Sequence, residues 1–329
     1  MSAGAPAGMM PPVQSAQVNE VRLAWYEAGE RRGVPIVLLH GFPELAFSWR
    51  HQIQALADAG YWVVAPDQRG YGLTEAPRPV EAYGIEQLTG DLTGLLDHLG
   101  AEKAVWVGHD WGGLIAWRMP LMHPGRTAGV IGLNTPFLPR TPAEPVRYLR
   151  ERFGAGHYIV FFQTRGLPEF LFELDVRRSF RFFMRCPRGE GRPPDRRFLR
   201  PAEVMALLRP PADEQFLSPE ELDVYVRAFR RTGFRGGINW YRNLDADWRR
   251  SAHLVDHVAH PALMITAERD PYLPPAMSKG MEAYIPDLER AMIDGAGHWT
   301  QQEKPDAVNR VIVDWLKRRF PLPAAAEIP

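Results

Sequence analysis

The sequence predicts an α/β fold: a doubly wound, mostly parallel sheet with an all-helical segment inserted between two of its strands. Three observations support this fold class. Short apolar runs rich in β-branched residues recur along the chain, segments of helical length separate them, and the strand pattern is absent from residues 138–236. Strands that are covered on both faces form continuous apolar runs, and their alternation with helices is typical of a parallel sheet.

Five predicted strands follow this apolar pattern. They are residues 34–40, 61–67, 103–109, 128–134 and 261–268. A last strand is predicted at residues 288–294, before the loop that carries His298. Helices are predicted within residues 48–60, 84–100 and 304–320. The first two of these end in Gly60 and Gly100. Glycine is favoured just after the last turn of a helix because it adopts the left-handed conformation without a steric penalty.

The segment without strands predicts a second structural unit. Residues 138–236 are rich in Phe, Arg and Pro, and we expect them to form a helical lid over the carboxyl ends of the strands. The core of the fold is then formed by residues 16–137 and 237–329. Residues 1–15 are rich in Ala, Gly and Pro, and we expect them to be a disordered tail.

Two local patterns stand out within the predicted lid. Ser218 is followed three residues later by Glu221, which is the spacing of a capping box at the start of a helix. Residues 177–200 carry nine Arg and only two acidic residues. Because runs of charge are usually solvated surface, we interpret this stretch as an outer face of the lid, with an acidic or membrane partner as the alternative.

Composition excludes several functional classes. The chain has 329 residues, and its 39 basic and 39 acidic residues give no overall electrostatic reason to bind nucleic acid or anionic lipid. The one cysteine, Cys186, cannot form an intrachain disulfide or a cysteine metal site. No signal peptide or long apolar span is visible. We therefore expect a cytoplasmic protein, monomeric or homodimeric, that uses no metal or cofactor and does not insert into membranes.

The stretch VGHDWGG, residues 107–113, contains the first candidate catalytic residue. It follows a predicted strand and has the form of the tight turn that presents a nucleophile between strand and helix, with Asp110 where serine hydrolases carry serine. Gly108 and Gly112 are small enough for strand and helix to pass closely at such a turn. The alternative is that Asp110 only caps the following helix.

Two later residues complete a possible catalytic triad in the order nucleophile, acid, histidine. Asp270 ends a predicted strand, and His298 lies in a Gly-rich loop before the last predicted helix. Near the amino terminus, the amide of Phe42 follows another strand and could stabilise an oxyanion together with the amide of Trp111.

An aspartate nucleophile selects a reaction type. A carboxylate that attacks a saturated carbon forms an ester, which water can cleave, whereas a serine would form an ether that water cannot. Epoxides and alkyl halides are the obvious substrates of this kind. His298, held by Asp270, would then activate the water that attacks the ester. An epoxide oxygen also needs a proton, which a tyrosine can donate at neutral pH.

The motifs extend over nearly the whole chain beyond the first fifteen residues. They are HGFPE (40–44), PDQRGYGLT (66–74), VGHDWGG (107–113), HYIVFFQ (157–163), FRGGINWYRN (234–243), TAERDPYL (266–273) and GHWTQQEKP (297–305). Together they resemble the soluble epoxide hydrolases of the α/β-hydrolase fold. The resemblance implies that Tyr158 and Tyr241 hold the epoxide oxygen. The aromatic residues of the predicted lid, at 161–162, 170–172 and 181–183, indicate an apolar or aryl epoxide, which water would convert to a vicinal diol.

We also expect five residues around these motifs to contact the substrate: Trp111, His40, Pro43, Phe162 and Trp299. His40 could instead pack only at the strand end, and Pro43 could serve only to shape the turn, with a cis peptide bond as one option.

Two other functions were weighed against epoxide hydrolysis. Haloalkane dehalogenases use the same Asp–His chemistry and also carry Trp after the nucleophile, so Trp111 does not separate the two families, but Tyr241 favours an epoxide. A non-catalytic ligand-binding relative is the second alternative. Such relatives usually lose the nucleophile or the histidine, whereas Asp110, Asp270 and His298 are all present here.

Overall fold

The computed structural model describes residues 10–186 and 214–322. Its strands are Val13–Val18 (β1), Val21–Ala28 (β2), Ile36–Leu39 (β3), Val63–Asp67 (β4), Ala104–His109 (β5), Thr127–Leu133 (β6), Ala262–Ala267 (β7) and Leu288–Ile293 (β8). They form one eight-stranded sheet in the order β1-β2-β4-β3-β5-β6-β7-β8. β2 runs antiparallel to both of its neighbours, and all other pairs are parallel. The predicted α/β fold class is therefore confirmed.

The amino-terminal strands were not predicted. All six predicted strands are present, but β1 and β2 precede them. β1 has the sequence VQSAQV and is largely exposed, so it lacks the apolar run by which the other strands were identified. The carboxyl-terminal limit predicted for the disordered tail of residues 1–15 is wrong, because β1 already begins at Val13. Residues 1–9 lie outside the part of the chain that the structure describes.

Helices cover both faces of the sheet. They are Arg50–Asp58, Ile85–Leu99, Trp111–Met122 and Pro305–Arg319. Leu38 and Val107 belong to the apolar cluster that contains the buried residues of the first and last of these helices. The adjacent strand residues Leu39 and Trp106 belong to the apolar cluster on the other face, which contains the buried residues of the second and third helices. This alternation explains why the central strands are apolar throughout.

A run of helices lies between β6 and β7, as predicted. The described helices of this insertion are Pro145–Phe153, Tyr158–Phe161, Leu167–Glu173, Val176–Phe183, Pro219–Thr232, Arg235–Arg242 and Leu244–Arg250. The capping box is confirmed: Ser218 Oγ accepts from the Glu221 amide at 3.2 Å, and Glu221 accepts from the Ser218 amide at 2.8 Å.

The predicted boundary at residue 236 is wrong because it falls inside helix Arg235–Arg242. The next helix still contacts the insertion, since Asp245 accepts a hydrogen bond from the Val146 amide at 2.8 Å. Of the Arg-rich stretch 177–200, residues 187–200 lie outside the described residues. In the described part, Arg177 forms an ion pair with Asp223. None of the helices in the described ranges has the length and apolar character needed to cross a membrane.

Candidate active site

Asp110 lies at a sharp turn between β5 and helix Trp111–Met122. Its backbone has φ +51° and ψ −120°, a conformation that is costly for a residue with a side chain. The turn is tight: a Cβ at Gly108 would overlap the Gly112 carbonyl, and a Cβ at Gly112 would overlap the Leu39 carbonyl. Asp110 makes no side-chain capping hydrogen bond to the helix, so a capping role does not account for it.

The carboxylate of Asp110 is held by the amides predicted to form the oxyanion hole. The Phe42 N–H donates to Asp110 Oδ1 at 2.8 Å. Burial raises the pKa of Asp110, and the nearby His298 and His109 together with the Phe42 and Trp111 amides oppose that rise. The Asp110 side chain nonetheless keeps 18% of its surface exposed.

His298 connects Asp110 to Asp270. Its Nδ1 lies 2.9 Å from Asp270 Oδ2, and its Nε2 lies 3.7 Å from Asp110 Oδ2. Burial acts to lower the pKa of His298, but the charge and hydrogen bond of Asp270, followed by the charge of Asp110, raise it to about 9. Burial likewise acts to raise the pKa of Asp270, but His298 outweighs it and holds that pKa well below its usual range.

Asn134 supports this pair and was not identified from the sequence. It follows β6, and its Nδ2 donates to Asp270 Oδ2 at 2.6 Å and to the His298 carbonyl at 3.1 Å. The available signal was its position: like Asp270, it is a polar residue at the carboxyl end of a predicted strand, where functional side chains of parallel sheets gather.

Glu44 and His109 form a second buried pair that the sequence analysis did not single out, although both lie in quoted motifs. His109 Nδ1 lies 2.7 Å from Glu44 Oε2, and its Nε2 lies 2.7 Å from the His298 carbonyl. A carbonyl only accepts, so Nε2 carries hydrogen. Burial acts to raise the pKa of Glu44, but the charge and hydrogen bond of His109 outweigh it and lower that pKa.

The two candidate tyrosines lie together on the insertion side of Asp110. The Tyr241 ring packs edge-on against Trp111 at 4.9 Å and Phe42 at 5.4 Å between ring centroids. The Tyr158 ring lies 5.8 Å from that of Tyr241. Burial raises the pKa of both phenols, and the charge of Asp110 adds to this in each case. Both tyrosines therefore stay protonated at neutral pH.

Two of the other predicted substrate contacts, Phe162 and Trp299, pack against residues of the candidate site. Phe162 packs on Tyr241 at 5.0 Å, and Trp299 packs on His298 at 4.7 Å between ring centroids. Pro43 follows Phe42 through a cis peptide bond, which is one of the alternatives considered for this turn from the sequence.

For His40, the structure favours packing over contact with substrate. It is fully buried, its Nε2 accepts from the Gln68 amide at 3.0 Å, and its Nδ1 lies 3.0 Å from the Gly41 carbonyl. Both ring nitrogens are thus bound to backbone groups, and the side chain supports the turn before Phe42. This is the packing alternative weighed for His40 from the sequence.

Comparison with known proteins identifies the family. The sequence profile of the alpha/beta hydrolase fold matches residues 34–305. Epoxide hydrolase A of Mycobacterium tuberculosis is 44% identical over 317 residues, which cover 93% of this chain and 97% of that protein. Bifunctional epoxide hydrolase 2 of Mus musculus is 40% identical over 313 residues, which cover 92% of this chain and 55% of that protein.

Solved structures agree with the sequence relatives. The crystal structure of epoxide hydrolase A from Mycobacterium thermoresistibile superposes with a TM-score of 0.88 at 43% identity, covering 93% of this chain and 98% of that one. An epoxide hydrolase from Vigna radiata gives a TM-score of 0.84 at 32% identity, covering 95% and 99%. The chain therefore belongs to the α/β-hydrolase family and, within it, to the epoxide hydrolases.

Proposed function

We propose that this epoxide hydrolase converts apolar or aryl epoxides to vicinal diols through a covalent ester at Asp110. One observation carries the proposal: the two oxygens of Asp110 have different surroundings. Oδ1 accepts from the Phe42 amide at 2.8 Å, while Oδ2 lies 3.7 Å from His298 Nε2. One oxygen is thus held by a backbone amide, while the other is left to attack a substrate.

In the first step, Asp110 Oδ2 attacks one epoxide carbon while a tyrosine protonates the oxygen that leaves it. The protonated phenols of Tyr158 and Tyr241 lie beside each other, and a phenol is acidic enough to donate to a developing alkoxide. The C–O bond of the epoxide breaks, and an ester between Asp110 and the substrate forms. The helical insertion, which carries both tyrosines, acts as the lid of the site.

In the second step, His298 Nε2 removes a proton from water, which attacks the ester carbonyl carbon. The bond from that carbon to Oδ2 then breaks, the departing alkoxide takes the proton from His298 to complete the diol, and the proton of the new Asp110 carboxyl group returns to the tyrosine phenolate. The ester carbonyl oxygen is Oδ1, which already faces the Phe42 amide, so the same N–H stabilises the tetrahedral oxyanion. Ester formation also removes the negative charge of Asp110, which is one cause of the raised pKa of His298. Ester formation therefore lowers the pKa of His298, in the direction that favours a neutral imidazole able to act as a base.

The aromatic surroundings support an apolar or aryl substrate. The rings of Phe42, Phe162 and Tyr241 pack edge-on against one another, and the Phe42 amide binds Asp110, so aromatic surface that favours apolar groups lies close to the nucleophile. The tyrosine pair also favours an epoxide over an alkyl halide, because a halide leaves without a proton. A cytoplasmic location and a monomeric or homodimeric state complete the proposal.

Trapping the intermediate tests the proposal. His298→Gln removes the base but leaves Asp110 and the tyrosines in place, so mixing this variant with an aryl epoxide should add the intact substrate mass to the peptide bearing Asp110. The exposed residue His253 provides the control, since His253→Gln should turn over and leave no persistent adduct once the epoxide is consumed. An adduct on another residue, or no adduct although the epoxide binds, contradicts the two-step reaction.

The role of the tyrosines is tested separately. Tyr158→Phe combined with Tyr241→Phe should slow ester formation by about 10²–10³-fold or more, which is the usual effect of removing a donor to a developing oxyanion. Unchanged ester formation would remove both phenols from the reaction. A haloalkane assay on the parent enzyme distinguishes the alternative function, since dehalogenation faster than epoxide opening would favour it.

A further inference from the structure

The two tyrosines lie on segments that are far apart in the sequence. Tyr241 lies on helix Arg235–Arg242, whereas Tyr158 begins helix Tyr158–Phe161, which has only four residues. A helix this short has almost no stability of its own, because the first turn fixes several residues for a single hydrogen bond. Contacts from elsewhere in the insertion must therefore fix the position of Tyr158 relative to Tyr241.

Arg242, the residue after Tyr241, supplies such contacts. Its Nε donates to the Phe162 carbonyl at 2.9 Å, and its Nη2 donates to the Thr164 carbonyl at 2.8 Å. These carbonyls follow the end of helix Tyr158–Phe161. Carbonyls at a helix end lack partners within the helix and carry the negative end of its dipole, so a guanidinium is well suited to bind them.

A buried carboxylate fixes the guanidinium itself. Glu169 accepts from Arg242 Nη1 at 2.5 Å and from Nη2 at 3.1 Å, and the two side chains are only 12% and 7% exposed. Asn239 Oδ1 accepts the remaining Nη1 hydrogen at 2.9 Å. Each of the five N–H groups of Arg242 thus has an acceptor. A lysine has three donors on a single atom and cannot reproduce this arrangement.

Other contacts hold the helix of Tyr241 in place. Asn243 Nδ2 donates to the Val80 carbonyl in the core at 2.7 Å, and Gln163 Nε2 donates to the Tyr241 carbonyl at 3.1 Å. The helix of Tyr241 is therefore attached to the core without Arg242. Gln163 and Arg242 both connect this helix to the segment of Tyr158, and Arg242 makes the larger contribution, with hydrogen bonds to the carbonyls of Phe162 and Thr164.

We propose that Arg242, held by Glu169, is a positioning residue that sets the spacing of Tyr158 and Tyr241 for opening of the epoxide ring. The inference rests on the proposed function, in which these phenols bind and protonate the epoxide oxygen. Arg242 contacts neither Asp110 nor His298 in any recorded hydrogen bond or ion pair. Its loss should therefore slow ester formation and leave ester hydrolysis intact.

The experiment measures the two steps separately. Arg242→Lys, Arg242→Gln and Glu169→Gln are mixed rapidly with an aryl epoxide and quenched in acid, and the rise and decay of the ester on Asp110 are followed by mass. We expect ester formation to slow by about 10- to 100-fold, since a shift of about 1 Å in a catalytic group can cost about 10²-fold. Ester decay should change by less than about twofold in each variant, which also shows that the core is folded.

A matched control comes from the same insertion. Arg249 forms an ion pair with Glu144, is more than half exposed, and contacts neither tyrosine segment. Arg249→Gln should leave both steps unchanged. If Arg249→Gln slows ester formation as much as Arg242→Gln, or if Arg242→Gln slows both steps equally, Arg242 acts only on the stability of the insertion and the inference is wrong.

The final comparison places Arg242→Gln in the Tyr158→Phe/Tyr241→Phe background. If Arg242 acts through the phenols, Arg242→Gln should not slow ester formation further in this background. If it slows ester formation as much as it does in the parent enzyme, the inference is wrong. The outcomes also separate the two proposals. If the tyrosine variant itself does not slow ester formation, the proposed role of the phenols fails, and this inference with it. If the tyrosine variant does so while all three Arg242 and Glu169 variants do not, only this inference fails.

Discussion

Asp270→Asn places a donor where His298 needs an acceptor. Asp270 Oδ1 accepts from the Tyr272 amide at 2.8 Å and the Leu273 amide at 3.0 Å. Oδ2 accepts from His298 Nδ1 at 2.9 Å and from Asn134 Nδ2 at 2.6 Å. The carbonyl of an asparagine must therefore stay at the Oδ1 position, and its NH₂ must face His298. That forces the imidazole proton onto Nε2, where it blocks acceptance of a proton from water.

The size of the effect follows from this change of tautomer. The equivalent exchange in the triad of a serine protease lowers turnover by about 10⁴-fold, so we expect ester hydrolysis to slow on the order of 10³- to 10⁴-fold. Asp270 is also the largest of the causes that raise the pKa of His298 to about 9, so that pKa falls. Ester formation depends on Asp110 and the tyrosines and should proceed at the parent rate.

The assay is a rapid-mixing experiment with acid quench and intact mass. Asp270→Asn should show one equivalent of ester in the first turnover, followed by very slow decay. Asp294→Asn is the control, because Asp294 also follows a strand, β8, but is exposed. The reasoning is refuted if Asp270→Asn hydrolyses the ester within about tenfold of the parent rate, or if the loss falls on ester formation instead.

Two further predictions concern pH and packing. Because the pKa of His298 in the folded state is raised to about 9 from 6.5, its contribution to stability is fully present below pH 6.5 and is lost as pH rises through about 9. Chemical denaturation from pH 6.5 to 9.5 should show a fall in unfolding free energy on the order of 3 kcal/mol. This fall should be absent in His298→Gln, and equal falls in both proteins would contradict the prediction. Gly112→Ala should lower the free energy of unfolding by about 1–3 kcal/mol because the new Cβ meets the Leu39 carbonyl. Gly90→Ala is the control, since a Cβ at this helical position meets open space and should not lower the free energy of unfolding.

The sequence predicted the residues whose type and position are both restricted by chemistry. Asp110 stands in a turn that requires glycines on either side, and Asp270 and His298 follow strands in the order that a triad on this fold requires. Both conditions can be recognised along the chain without coordinates.

The supporting residues could not be predicted because their partners are distant in sequence. Glu44 and His109 meet only when β3 and β5 lie side by side, and Asn134 reaches Asp270 only when β6 and β7 do. Apolar periodicity carries no information on which buried polar side chains face each other. His40 was assigned to the substrate for the same reason, since its backbone partner, the amide of Gln68, is visible only in three dimensions.

The limits of the helical insertion were misjudged on similar grounds. Residues 237–250 continue as helices after the predicted end of the lid. The Pro-rich and Arg-rich composition that marked the insertion ends earlier than its structure does, because these last helices are held by individual contacts such as that of Asp245 with the Val146 amide.

Isotope transfer tests the ester at Asp110 most directly. One turnover of excess enzyme in water enriched in oxygen-18 should place the label in the carboxyl group of Asp110 and leave the diol unlabelled, because water attacks the ester carbonyl and the diol takes its new oxygen from the aspartate. A labelled diol released from an unlabelled Asp110 would contradict the account.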